Sequence, residues 1–228
     1  MRSSHVAVQL LPPDGGMPRS KGIHVSSVIR NIAIENGILN PEYVESLDLI
    51  DASQEQWWTG LPMRAQILIA MGMAWDEWYL PNLGYVVPHP GEMELDGIYL
   101  TPDGESLDMI RVERQNHHVV AIHETKLTSK STKTVGDLSS QWMWLCQIKA
   151  YCKAAGTRLA FLHVLFLCGD YKFPITPQIG PLKDQMTAWR LEFTQEELDE
   201  NWDIITGYVR HRQLQVAEDA FKDSEEAL

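Results

Sequence analysis

The stretch IHETKLT, Ile122 to Thr128, sets how the rest of the chain is read. It follows the apolar run Val119-Val120-Ala121 and places a carboxylate and an ammonium two residues apart. Side chains alternate along a strand, so Glu124 and Lys126 project together while His123 and Thr125 point away. On a half-buried strand such a pair is either a cross-sheet ion pair or half of a metal-dependent hydrolytic site. The neighbouring segments decide between the two.

At 228 residues the chain suits one domain with a sizeable core. The expected organisation is an irregular arm over 1–22, one domain over 23–214 with its core at about 62–205, and an acidic tail over 215–228. No apolar run approaches the ~20 residues of a membrane span, and the first residues lack a signal pattern. Cys146, Cys152 and Cys168 have no metal-type spacing. They read as reduced thiols in a cytosolic setting, too few for an iron–sulfur cluster. The expected location is therefore cytoplasmic, in the host cytoplasm or a virion if the source is viral, with no membrane partner.

A net charge of −12 argues against a general nucleic-acid binder, but the charge is segregated. Residues 111–158 carry +5 and the remainder −17. IHETKLT lies inside the basic stretch, where a local positive field can draw a polyanion. A merely solvated basic face is the competing reading.

Hydrophobic spacing predicts a helix over 23–39 that stops at Gly37, and another over 53–80 closed by Pro81. Strands follow at about 83–88, 94–101 and 117–127, with Pro102-Asp103-Gly104 read as a hairpin turn. The run 138–156 is a helix ended by Gly156. A buried strand over 158–169 and a second over 187–193 precede a final helix. That helix starts on Thr194, with Glu197 completing a capping box. The order gives an α/β fold, a mixed central sheet flanked by helices.

Four features fall in sequence. Glu77 lies on the second helix, Asp96 at the start of the second strand in PGEMELDG, Glu124 and Lys126 on the third strand. Gln147 and Tyr151 stand four apart on the next helix, hence on one side of it. Two or three carboxylates converging at sheet edges make an oxygen-rich site for Mg²⁺ or Mn²⁺. Phosphodiester hydrolysis uses such ions to neutralise the phosphate and to lower the pKa of the attacking water. A lysine beside them can orient that water and offset developing charge.

The ordered set P-G-x-x-x-x-D (Pro90 to Asp96), E-x-K (Glu124, Lys126) and Q-x-x-x-Y (Gln147, Tyr151) resembles the PD-(D/E)xK nuclease superfamily. It looks most like the RecB-type and lambda-exonuclease-like branch seen in phages, over roughly Met71 to Trp202. The resemblance implies a restriction-endonuclease-like αβββαβ core. It implies that Asp96 and Glu124 bind the metal, with the Thr125 carbonyl as a further ligand and Lys126 serving the water. Glu77 would complete the metal shell, with its neighbour Asp76 an alternative about 100° around the helix. Gln147 and Tyr151 would lie against the substrate backbone. Homo-oligomers occur among lambda-type relatives, so self-association is an expectation of the resemblance alone.

Other candidates have plainer readings. Glu94 is a polar neighbour of Asp96, His123 a structural histidine, and Trp142 and Trp144 pack a helix. Lys130 and Lys133 sit where a loop could meet phosphates, though simple solvation explains them nearly as well. The sequence thus points to a Mg²⁺/Mn²⁺-dependent deoxyribonuclease, an exonuclease in phage-type recombination or DNA processing. The rival is a nuclease-fold assembly component of a viral particle or replication complex, suited by its acidity to a protein partner. A restriction-type or RNA-directed endonuclease shares the same chemistry.

Overall fold

The computed structural model describes residues 20–40, 50–51, 63–107, 118–130, 135, 137–167 and 186–226. Most of the expected N-terminal arm, the first part of the helix expected over 53–80, Lys133 and Cys168 lie outside them. The elements run β1 (Gly22–His24), α1 (Val25–Glu35), β2 (Ile50–Asp51), α2 (Met63–Asn82), β3 (Val87–Pro88), β4 (Met93–Leu95) and β5 (Ile98–Leu100). Then come β6 (Gly104–Leu107), β7 (Val119–Thr128), α3 (Trp142–Ala155), β8 (Leu159–Phe166), β9 (Met186–Glu192) and α4 (Gln195–Glu226).

The central sheet has the order β3-β6-β7-β8-β9. Its β7/β8 pair is parallel and its other pairs are antiparallel, so the sheet is mixed as expected. Helix α3 makes the crossover that a parallel pair requires. Glu124 and Lys126 face α3, whereas His123 and Thr125 face α2. Strand β7 is therefore central and covered on both faces. Residues 121–125 are all buried, not half-buried as alternation alone suggested. A central strand reads as a nearly continuous apolar run for this reason.

The main core lies on the α3 side. Ile122, Leu162, Val164 and Phe166 of the sheet meet Ile148 and Cys152 of α3, together with α1 and the first half of α4. Local signals work at the helix ends. Gly156 closes α3 in the left-handed conformation, φ 70°. Thr194 Oγ1 accepts from the Glu197 amide at 3.1 Å, and Glu197 Oε2 accepts from the Thr194 amide at 2.8 Å. That is the reciprocal cap the sequence announced. Helix α4 then runs through most of the segment expected as an acidic tail.

The strand expected over 94–101 is instead two short strands. Asp96 and Gly97 both take positive φ, 52° and 76°. Leu95 pairs with Ile98 across them, a two-residue hairpin of the Asp-Gly type. This hairpin belongs to a second sheet, ordered β2-β1-β5-β4. Gly104, expected in a turn, instead begins β6, opposite His123. An added Cβ there would stand 2.7 Å from Val86 Cγ1 and 3.2 Å from Leu80 Cδ1. Gly104→Ala is therefore expected to lower unfolding free energy by about 1–3 kcal/mol. The readout is a lower urea midpoint at unchanged slope. An unchanged midpoint would mean that Val86 and Leu80 yield freely against β6.

Candidate active site

The centre of the site is built on β7. Glu124 is 1% exposed, and its Oε1 accepts the Lys126 ammonium. Lys126 Nζ also donates to Gln147 Oε1 at 3.2 Å, and Gln147 Nε2 donates to the Tyr151 hydroxyl at 2.7 Å. The E-x-K pair and the Gln/Tyr pair of α3 thus form one continuous polar line. Tyr151 is buried, 3% exposed, so it supports Gln147 from behind and offers substrate no open surface.

Thr125 gathers two further acids on the other side of the strand. Its amide donates to Asp103 Oδ2 at 2.7 Å. Its hydroxyl lies 3.0 Å from the same oxygen and 3.2 Å from Asp76 Oδ1. Its expected contribution was a carbonyl, whereas its amide and hydroxyl hold the acids. His89, in a left-handed backbone conformation with φ 47°, joins the rim. Its amide donates to the Asp103 carbonyl at 2.8 Å and its Nε2 lies 3.6 Å from Asp76 Oδ2.

Asp76, Asp103 and Glu124 sense one another. Burial first, then the Asp103 charge, raises Asp76 to about 7 against the Thr125 hydrogen bond and Lys126. Burial and then Asp103 also push Glu124 up, against Lys126. For Lys126, burial opposes the charged form, but Glu124, Asp103 and Asp76 outweigh it and hold the ammonium charged. Among the described residues, Lys126 is the cation that acts on both Asp76 and Glu124.

The structure does not bring Asp96 to this place. Its Oδ2 accepts from Trp202 Nε1 at 2.7 Å, tying the β4–β5 turn to α4. The acid at the mouth of the central sheet is Asp103, delivered by the loop before β6. Glu77 points outward and is exposed, while its neighbour Asp76 is buried in the site. The missed signal was Pro102-Asp103-Gly104, where the turn aspartate is the inward one. Lys130 is exposed, donates to Gln141 Oε1 at 2.8 Å and lies 5.8 Å over the Trp144 ring at the start of α3.

The donor set suits a hard divalent cation, since every candidate atom is oxygen. Among the described residues, no group of three or more His, Cys, Asp or Glu side chains stands close enough to hold a metal ion as it is. One buried oxygen points to such a cation: among the described residues, Glu124 Oε2 has no hydrogen-bond partner. An orphaned buried acceptor costs about 1–3 kcal/mol, which a cation shared with Asp103 and Asp76 would offset. The donor chemistry, all oxygen, is of the kind that takes Mg²⁺ or Mn²⁺. Asp103→Asn is accordingly expected to weaken Mn²⁺ binding by about 10-fold or more, and Asp96→Asn to leave it unchanged. Titration calorimetry on both variants checks this, and the reverse order would restore Asp96 to the site.

No family model matches the sequence, and no curated protein does. Solved structures do resemble it. An alkaline exonuclease from Laribacter hongkongensis is 12% identical, with 90% of this chain and 94% of that one covered and a TM-score of 0.51. A phage-related exonuclease from Haemophilus somnus 129PT is also 12% identical, covering 85% and 82%, with a TM-score of 0.49. At such identities the likeness is one of fold, and the first comparison carries it. With its mixed sheet between helices and Glu124 and Lys126 on the central strand, this chain has the fold of an alkaline exonuclease, the nuclease fold its motifs resemble.

Proposed function

We propose that the protein is a divalent-cation-dependent deoxyribonuclease that degrades DNA from its ends, acting in phage-type recombination or DNA processing. The observation that carries this reading is the Asp76–Asp103–Glu124 cluster with Lys126 against it on the central strand. The exonuclease fold supports it.

A divalent ion held by Asp76, Asp103 and Glu124 would offset phosphate charge and acidify a bound water. The chain's own groups do the rest. Lys126, fixed by Glu124 and Gln147, presents an ammonium where negative charge develops on phosphate oxygens. Gln147 is in turn held by Tyr151, so the amine has one orientation. Thr125 spaces Asp103 and Asp76 through its amide and hydroxyl. Lys130, exposed at the start of α3, is placed to meet a phosphate further along the strand.

With Mg²⁺ or Mn²⁺ the purified protein is expected to degrade end-labelled linear DNA, to spare covalently closed circles, and to stop on chelation. Lys126→Ala should reduce the rate by about 10²-fold or more, the scale of losing a positioned charge at a transition state, with the fold retained. Cleavage of closed circles at the same rate would replace the exonuclease with an endonuclease. Full activity in Lys126→Ala would sink the assigned mechanism.

The net charge of −12 favours one further reading, a nuclease-fold component of a larger assembly that meets a protein through its acidic surface. Such a component needs no cation. Wild-type protein that ignores Mn²⁺ and copurifies stoichiometrically with a partner would favour it.

A further inference from the structure

On the α2 side of the sheet a hydrogen-bonded line runs across three strands and into the helix. Ser106 Oγ lies 2.7 Å from His123 Nε2, His123 Nδ1 lies 3.0 Å from His163 Nε2, and His163 Nδ1 lies 3.1 Å from the Tyr79 hydroxyl. The two imidazoles are 0% and 2% exposed and stack nearly parallel, 10° apart. No step of the proposed reaction uses any of the four groups. We propose that Ser106, His123, His163 and Tyr79 are positioning residues that set α2 against the sheet and thereby hold Asp76 at the candidate cation site. The inference rests on the reading of that site given above.

The geometry supplies the argument. Thr125 and His163 are register partners on the same rung of β7 and β8. Asp76 reaches Thr125, and Tyr79, three residues on, reaches His163. Residues three apart share a helix face. The helix is thus pinned twice to one rung, once by the acid of the site and once by this line. Trp75 stacks on Tyr79 at 4.4 Å and fixes the ring from the helix side.

Hydrogen counting removes the slack. A neutral imidazole has one N–H and one lone pair, and both rings are buried away from water. Three bonds through two such rings require all donors to point the same way along the line. Neither ring can flip without breaking two bonds at once, so Tyr79 has one position. An apolar set would bury as much surface but fix no angle. The angle matters because charge works against Asp76: Asp103, and less strongly Glu77, repel it within a buried volume. A tether outside the acid cluster holds it there before any cation arrives.

The test uses the full chain, with Mn²⁺ binding by electron paramagnetic resonance and steady-state cleavage of linear DNA. Tyr79→Phe removes one hydroxyl and is expected to weaken Mn²⁺ by about 10-fold and to lower kcat with KM for DNA unchanged. Ser106→Ala, at the far end of the line on β6, should shift both in the same direction. The double variant should match Tyr79→Phe alone, because the line acts as one unit. His163→Gln, which keeps a donor and an acceptor, should bind Mn²⁺ more tightly than His163→Leu. Should Tyr79→Phe fail to fold, Ser106→Ala carries the test. Wild-type affinity in Ser106→Ala and Tyr79→Phe, or additive losses, overturns the inference while leaving the nuclease reading intact. A wild-type protein that neither binds Mn²⁺ nor cuts DNA overturns that reading, and this inference with it.

Discussion

Everything at the candidate site follows from burying the Glu124 carboxylate in the middle of a five-stranded sheet. A lone buried charge is among the costliest groups a protein can carry, and it persists only with partners. Lys126 answers one of its oxygens; among the described residues the other has no hydrogen-bond partner. Asp103 and Asp76 then bring more negative charge to the same volume, which raises Glu124 and Asp76 further. An architecture selected for stability alone would place an apolar residue here. The surplus of buried acid is the reason to look for a cation, and the cation is the reason to look for a phosphate.

Legibility in the sequence tracked the range of the interaction involved. Glu124 and Lys126 were readable because strand alternation is local. So were Gln147 with Tyr151 and Thr194 with Glu197, each pair within one helical turn. Asp96 and Asp103 were not separable on such grounds. Both precede glycine and both sit between apolar strands, so local chemistry offers two equivalent hairpin turns. What separates them is distant. Gly104 lets the chain pass between Val86, Leu80 and His123, which seats β6 beside β7 and brings Asp103 to the Thr125 amide. Asp96 is taken by Trp202 from the far end of the chain. Asp76 and Glu77 differ by one step of a helix whose apolar residues surround it, so no polar stripe marked the inward face.

The basic stretch over 111–158 also changes meaning once folded. Lys126 is engaged by Glu124, Lys149 lies 3.8 Å from Glu197, and Lys153 lies 2.6 Å from Asp199. Among the described residues, three cations of this stretch therefore face acids of the chain itself. Two of those pairs tie α3 to the first turns of α4, where the acid excess of the sequence lies. Segregated charge in the sequence thus becomes interhelical pairing, and the attraction for a polyanion has to come from somewhere else. A divalent ion in the acid cluster would supply positive charge at the place where the proposed cleavage needs it.

That arrangement also explains why two of the acids arrive on the elements least committed to the central sheet. Glu124 is part of a strand paired on both sides, whereas Asp103 ends a loop and Asp76 rides on a helix. Acids on separate elements can meet at one point without being neighbours in sequence, but each element must then be held against the sheet. Thr125 holds Asp103 and Asp76 through its amide and hydroxyl, and the buried line from Ser106 to Tyr79 holds the helix that carries Asp76. The strand that carries the chemistry on one face therefore carries its positioning on the other. A central β7, covered on both sides, is the condition for both.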